Sequence, residues 1–278
     1  MSIREEFKLF ASSACIEYNK SNIAGTNMKT QNTIPVSTPA KLSFLKLAIR
    51  SLLFAAVLTV FLTDKRLVLD NVYTFQNSGA WLLAGIWLFF VVEMAARLFP
   101  LKFESIGSQK QFASHFVRRD TGTSLPADVK KNHRKSVILV AALWIALNAG
   151  IGALFFTGII DEAVLLIISL FFAVCDIVCI LFYCPFQSLI MKNRCCTTCR
   201  IFNWDFLMMF IPLVFIRSWF TLSLVALALT VFIQWEIQYF RHPARFCEET
   251  NGRLACAACT ENLCRWKKTV SLPGRLNK

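Results

Sequence analysis

The chain has 278 residues, of which 56% are hydrophobic and only 17% are charged, and its formal net charge is +13. A soluble domain of this length usually has about 45–50% apolar and about 25% charged residues, so this composition disfavours a water-soluble fold. A strongly basic chain is typical of proteins that bind nucleic acid or anionic membranes. The distribution of the charge along the chain separates these two classes.

The amino-terminal segment is polar and rich in Ser, Thr and Asn as far as Pro39, and it lacks the apolar run of a secretory signal. We predict that residues 1–43 form a mobile tail. A short helix over Ile3–Ala14 is the alternative to plain disorder.

Six apolar segments follow, and a helix needs about 20 mostly apolar residues to cross the hydrocarbon layer. They are Phe44–Thr63, Ala80–Phe99, Val137–Ile160, Ala163–Cys184, Ile201–Ile216 and Trp219–Trp235. The sequence therefore predicts an all-α integral membrane protein with about six transmembrane helices. The fifth segment is short and contains Asp205 and Pro212, so a protein with four full spans and a re-entrant fifth and sixth pair is the alternative.

This pattern divides the chain into seven regions. They are the tail over residues 1–43, helices 1 and 2 over 44–100, a basic loop over 101–136, helices 3 and 4 over 137–184, a cysteine-containing loop over 185–200, helices 5 and 6 over 201–237, and a cysteine-rich tail over 238–278.

The basic residues lie almost entirely on one side of the six-helix arrangement. The amino-terminal segment through Lys46 has six of the 30, the loop after helix 2 together with Arg97 at the end of that helix has nine, the loop after helix 4 has three and the carboxyl-terminal tail has eight, which makes 26. The opposite loops have three, and Arg50 lies within helix 1. Because cytoplasmic loops carry the excess of Lys and Arg, both termini are predicted to be cytoplasmic. The predicted partner of this surface is anionic lipid rather than nucleic acid.

The loop over residues 101–136 mixes apolar and basic side chains. Its apolar residues Ile106, Phe112, Phe116 and Val117 alternate with Lys110, Arg118 and Arg119. This pattern is compatible with a basic amphipathic helix on the membrane surface. An ordinary solvated linker is the alternative.

Seven of the 11 cysteines lie in two segments on the predicted cytoplasmic side, Cys15 lies in the amino-terminal tail, and Cys175, Cys179 and Cys184 lie on predicted helix 4. The first segment has Cys195, Cys196 and Cys199, and the second has Cys247, Cys256, Cys259 and Cys264. Helices 5 and 6 form a hairpin, so the two segments are expected at the same surface. Thiols stay reduced in the cytoplasm, which makes a disulfide framework unexpected there.

Two Cys-x2-Cys turns that meet are typical of a tetrahedral four-thiolate metal site. We predict one such site from Cys196, Cys199, Cys256 and Cys259. The neighbouring thiols of Cys195, Cys247 and Cys264 can replace members of that set. The metal is zinc or an iron–sulfur cluster, and the alternative is a thiol–disulfide pair or no metal. A bound metal of either kind can have a purely structural role, in which it attaches the tail to the helix 4–5 loop.

Three charged residues fall well inside the predicted spans. Counted from the cytoplasmic helix ends, Arg50, Glu93 and Asp176 lie about 9–12 Å below the same surface at 1.5 Å per residue. A buried charge is costly, which makes this set a candidate polar cluster. The alternatives are that Glu93 pairs with Arg97 on its own helix and that Arg50 extends to the membrane surface.

No catalytic motif is present, so three function classes remain. The first is a membrane redox protein, in which an iron–sulfur centre passes electrons at the cytoplasmic face. Its expected partner is a membrane or cytoplasmic protein. The second is a scaffold or assembly protein with structural zinc. The third is a small-solute or ion transporter that uses the intramembrane charges.

Overall fold

The computed structural model describes residues 37–74, 80–100, 107–119, 127–191, 199–247, 250–255 and 259. The predicted amino-terminal tail lies outside this part. The described α-helices are α1 (Thr38–Thr63), α2 (Lys65–Thr74), α3 (Ala80–Leu98), α4 (Ala127–Phe156), α5 (Glu162–Leu181), α6 (Asp205–Phe210) and α7 (Trp219–Arg241). Between and after them are a π-helical turn (Phe186–Met191) and 3-10 turns over Gly107–Gln111, Ala113–His115, Arg200–Trp204, Ile211–Phe215, Pro243–Phe246 and Gly252–Leu254. The described residues contain no named β-strand, so this part of the chain is all-helical.

Five of the described helices, α1, α3, α4, α5 and α7, are long and apolar enough to cross a membrane. The prediction of a helical membrane protein is confirmed at this level. Large apolar side chains remain exposed on these helices, as Leu52, Leu88 and Ile145 show. An exposed apolar surface of this extent is a liability in water and is expected in a bilayer.

The helix ends follow local capping chemistry. At the start of α1, Ser37 accepts a hydrogen bond from the Ala40 amide and proline occupies the first turn. At the start of α5, Asp161 accepts from the Val164 amide. Between α4 and α5 the chain turns at Gly158, whose φ of 76° is a conformation that glycine adopts without strain. The connection over residues 157–161 is short, and Trp144 of α4 contacts Phe172 of α5, so the two helices run antiparallel.

Contacts between helix ends define two ends of the helical unit. At the end that we call the basic end, Gln234 of α7 donates to the Leu98 carbonyl of α3. Phe44 of α1 contacts Phe182 after α5 at the same end. At the opposite end, Lys65 of α2 pairs with Asp161. The start of α1 and the carboxyl-terminal ends of α3, α5 and α7 therefore lie at the same end.

The core joins α1 to α5 and α3 to α7, with the segment before α7 packed between them. Phe90 of α3 and Phe210 of α6 are almost fully buried, and their rings meet edge to face with centroids 5.0 Å apart. Aromatic pairs favour this geometry. This packing places α6 in the interior.

The predicted fifth transmembrane helix is not one continuous helix. Its sequence forms the 3-10 turn Arg200–Trp204, the six-residue α6 and the 3-10 turn Ile211–Phe215. Pro212 lies at the start of the last turn and has no amide hydrogen to continue the α-helical ladder. Irregular backbone at membrane depth is tolerated when protein surrounds it, and Phe206, Met209 and Leu213 here are at most 2% exposed.

Three helices extend beyond the apolar segments that were predicted to span the membrane. The α1 helix begins at Thr38 instead of Phe44, α4 begins at Ala127 instead of Val137, and α7 continues to Arg241. In each case the helix extends beyond its apolar run, because polar residues such as Lys and Gln have good helix propensity once a helix is nucleated.

Two connections differ from the prediction. Residues 107–119 form 3-10 turns and extended chain, so the amphipathic surface helix is wrong for this described part of the loop. A solvated linker is wrong for residues 108–111, which are buried, whereas residues 117–119 are exposed. At the opposite end, α2 forms where a plain loop was expected, and it buries Val68 and Val72 while Ser218 donates to the Val72 carbonyl.

Candidate functional site

Arg50 is the centre of a buried charge network. It lies on the fourth turn of α1 and is 4% exposed. Its Nη2 donates to Glu93 Oε2 of α3 at 2.8 Å, and its Nη1 donates to Asp176 Oδ2 of α5 at 2.9 Å. The same Nη1 also donates to the Ala173 carbonyl at 2.8 Å. The planar guanidinium therefore joins three helices, which is a geometry that lysine cannot reproduce.

The network continues outward along α1. Lys46, one helical turn before Arg50, lies 2.8 Å from Glu93 Oε1 and is 24% exposed. Positive and negative groups alternate from Lys46 through Glu93 and Arg50 to Asp176, so the four formal charges cancel. Paired charges are the form in which ionisable groups are tolerated inside a membrane.

A second buried pair lies one turn further along α3. Arg97 is 5% exposed and donates to Asp205 Oδ2 of α6 at 2.5 Å. Its guanidinium also lies over the rings of Phe202 and Phe206. The alternative that Glu93 pairs with Arg97 on one helix is wrong, because each binds a residue on another helix instead.

The broken segment connects the two charge pairs. Asp205 and Met209 are four residues apart on α6, and Met209 accepts a hydrogen bond from Arg50 at 3.7 Å from its sulfur. Residues at this spacing lie on one face of a helix. One face of α6 therefore contacts Arg97 through Asp205 and Arg50 through Met209. The sequence indicated how deep Arg50 lies in the membrane. Which residues it contacts is shown only by the tertiary fold.

The predicted metal ligands are only partly described. Cys196 and Cys256, and with them Cys195 and Cys264, lie outside the described residues. Cys199 is 5% exposed and packs in an apolar cluster with Val137, Val140, Met191 and Ile201. Cys247 and Cys259 are partly exposed. The described residues contain no group of three or more His, Cys, Asp or Glu side chains arranged to hold a metal.

Each cysteine segment is attached to the last two turns of α7. Arg200, next to Cys199, pairs with Glu236, and Trp204 Nε1 donates to the same carboxylate at 2.7 Å. Arg245, two residues before Cys247, donates to Gln238 Oε1 at 3.2 Å. Glu236 and Gln238 differ by about 3 Å in height along the helix axis. The two segments therefore start from nearly the same level of α7.

Comparison with protein-family models, curated proteins and solved structures gives no significant match for this chain. The fold and the buried charges define a class, a helical membrane-embedded protein with ion pairs buried in an otherwise apolar core.

Proposed function

We propose that this protein holds a four-thiolate metal centre at the basic end of its helices. The ligands are Cys196, Cys199, Cys256 and Cys259, with Cys195, Cys247 and Cys264 as substitutes. The observation that supports the proposal is the attachment of both cysteine segments to one level of α7, through Glu236 and Gln238. Two Cys-x2-Cys turns that meet beside these anchors would provide the four soft ligands that zinc and iron–sulfur clusters select.

In this proposal the basic end faces the cytoplasm and its anionic lipid headgroups, because the segments that the sequence assigns to the cytoplasmic side hold 26 of the 30 basic residues. Arg119, Arg134 and Arg241 are exposed there. An iron–sulfur cluster at this surface would exchange electrons with a membrane or cytoplasmic protein. A zinc ion would instead be structural, and the protein would be a membrane scaffold.

The test is metal analysis with an absorption spectrum of anaerobically purified protein. The expected result is one centre per chain, which is lost when Cys196 and Cys199, or Cys256 and Cys259, are replaced by Ser. The matched control replaces Cys175 and Cys179, two cysteines of α5, and should leave metal content unchanged. Coloured protein with iron and sulfide supports electron transfer, and colourless protein with zinc supports the scaffold. Metal-free protein, or double variants that bind metal like the parent, would reject the proposal.

A second candidate function, transport of an ion or small solute, is favoured by the broken segment next to the buried charges. Discontinuous helices beside intramembrane charges are typical of transporter binding sites. Here α6 contacts both Arg50 and Arg97. Proteoliposomes with an internal pH-sensitive dye test the simplest case, a proton flux. The flux should exceed that of empty liposomes and fall in Asp176→Asn but not in the exposed control Asp64→Asn. A parent flux equal to that of empty liposomes would exclude proton transport.

A further inference from the structure

The turn Gly107–Gln111 is polar in sequence and buried in the fold. Ser108 and Gln109 are 0% exposed, and Lys110 and Gln111 are 4% and 3% exposed. Gln109 Nε2 donates to the carbonyls of Ala96 and Phe99, at 3.0 and 3.2 Å, where α3 ends. Carbonyls at a helix end need such donors when they are removed from water. The turn is thus seated on the end of α3.

Two buried asparagines bind consecutive residues of this turn. Asn203 Nδ2 donates to Gln111 Oε1 at 2.8 Å, and Asn251 Nδ2 donates to the Lys110 carbonyl at 3.0 Å. Asn203 follows Cys199 by four residues, and Asn251 follows Cys247 by four residues. Both cysteine segments are therefore bonded, at the same spacing, to one short turn.

The tail has further contacts with the chain that follows the turn. Asn251 Nδ2 also donates to the Arg245 carbonyl at 2.8 Å, which closes the loop that contains Cys247. The Arg119 amide donates to the Thr250 carbonyl, and the Gly252 amide donates to the Val117 carbonyl. Asn251 itself is 0% exposed. A buried amide with two donated bonds is costly to remove, so the tail is held firmly at this point.

We propose that the Gly107–Gln111 turn is the dock on which the two cysteine segments assemble, with Asn203 and Asn251 as positioning residues. The role of the dock, which is to position metal ligands, rests on the proposed metal centre. The docking contacts themselves are independent of metal. Ligands from two distant segments bind a metal tightly only when other groups hold them in place beforehand. The third segment of the centre is thus a loop without cysteine.

Thiol cross-linking of reduced, metal-free, full-length protein tests the dock. A short bis-maleimide is added, and mass spectrometry measures linkage between the tryptic peptide with Cys195, Cys196 and Cys199 and either tail peptide, Phe246–Arg253 or Leu254–Arg265. The yield should exceed that of SDS-denatured protein. It should fall to the denatured level in Asn203→Ala and Asn251→Ala. The matched control is Asn148→Ala, a buried asparagine of α4, which should keep the parent yield.

Gln111→Leu is the second variant, because it removes the acceptor of Asn203 and changes neither cysteine segment. If an asparagine variant does not fold, as judged by helical circular dichroism and gel filtration, the cross-linking yield of Gln111→Leu tests the dock instead. A parent yield no higher than that of denatured protein would overturn the dock. Parent-level linkage in all three variants would overturn it as well.

Cobalt binding separates the dock from the metal proposal. If both hold, Co²⁺ gives thiolate charge-transfer absorption with the parent, and Asn203→Ala and Asn251→Ala weaken its affinity by about ten-fold or more. Parent affinity and spectrum in both variants would overturn Asn203 and Asn251 as positioning residues for the metal ligands and leave the metal centre standing. Absence of thiolate absorption with the parent would overturn the metal centre, and cross-linking alone would then decide the dock.

Discussion

Arg50 of α1 and Asp176 of α5 are 126 residues apart in sequence, and Nη1 of the first lies 2.9 Å from Oδ2 of the second. Arg50 has a second carboxylate partner in Glu93. Removal of one residue therefore has a different consequence from removal of the other. Removing Asp176 leaves the guanidinium paired, whereas removing Arg50 leaves two carboxylates without it.

We expect Arg50→Leu to destabilise the protein more than Asp176→Leu. Loss of Arg50 leaves Glu93 and Asp176 without their shared cation and should cost about 3–5 kcal/mol. Loss of Asp176 removes one charged hydrogen bond and should cost about 1.5–3 kcal/mol. Reversible unfolding by SDS in mixed micelles measures both, and the double variant should lose less than the sum of the single variants. Additive effects would contradict the contact.

The Arg97–Asp205 pair should anchor the broken segment to α3. Arg97→Leu leaves the Asp205 carboxylate, 6% exposed, without its cation, at a cost of about 3–5 kcal/mol. Arg97→Leu with Asp205→Asn should recover part of this loss, because no buried charge is left stranded. The same unfolding assay gives the comparison. Equal stability of the single and double variants would show that the charge of Asp205 does not matter there.

Gly152 and Gly150 of α4 form a matched pair for packing. A Cβ on Gly152 would lie 2.6 Å from the ring of Phe215, whereas a Cβ on Gly150 has nothing within 4 Å. Gly152→Ala should therefore destabilise the contact between α4 and the broken segment by about 1–3 kcal/mol. Gly150→Ala should be neutral or stabilising by up to about 1 kcal/mol, because alanine favours a helix. Thermal unfolding in detergent ranks the two, and a lower midpoint for Gly150→Ala than for Gly152→Ala would contradict this packing.

The orientation of the helices is tested by reporter fusions. Reporters fused after Lys131 and at the carboxyl terminus should be cytoplasmic, and a reporter fused after Asp161 should be on the other side. The physical reason is the excess of Lys and Arg at the basic end. An external carboxyl terminus would contradict the topology and would place the cysteine segments where disulfides form.

The sequence by itself determined the class of fold. Apolar runs long enough for the hydrocarbon layer lie in five helices of the described structure, because spanning length and apolarity are properties of a continuous segment. Chain position along each helix also indicated that Arg50, Glu93 and Asp176 lie at similar depth. Depth depends only on the rise per residue.

Only the tertiary structure shows which charged residues pair and where the chain departs from the structure that its sequence pattern predicts. Glu93 has the right spacing to pair with Arg97 on α3, yet it binds Arg50 and Lys46, since packing of α1 on α3 and α5 brings those cations closer. The segment over Ile201–Ile216 is apolar enough for a helix, yet it breaks where Pro212 and the surrounding core permit irregular backbone. The polar Gly107–Gln111 turn is buried because the end of α3 and two distant asparagines satisfy its hydrogen bonds. These hydrogen bonds join residues that are far apart in the chain. Neither the periodicity nor the composition of the sequence indicates such contacts.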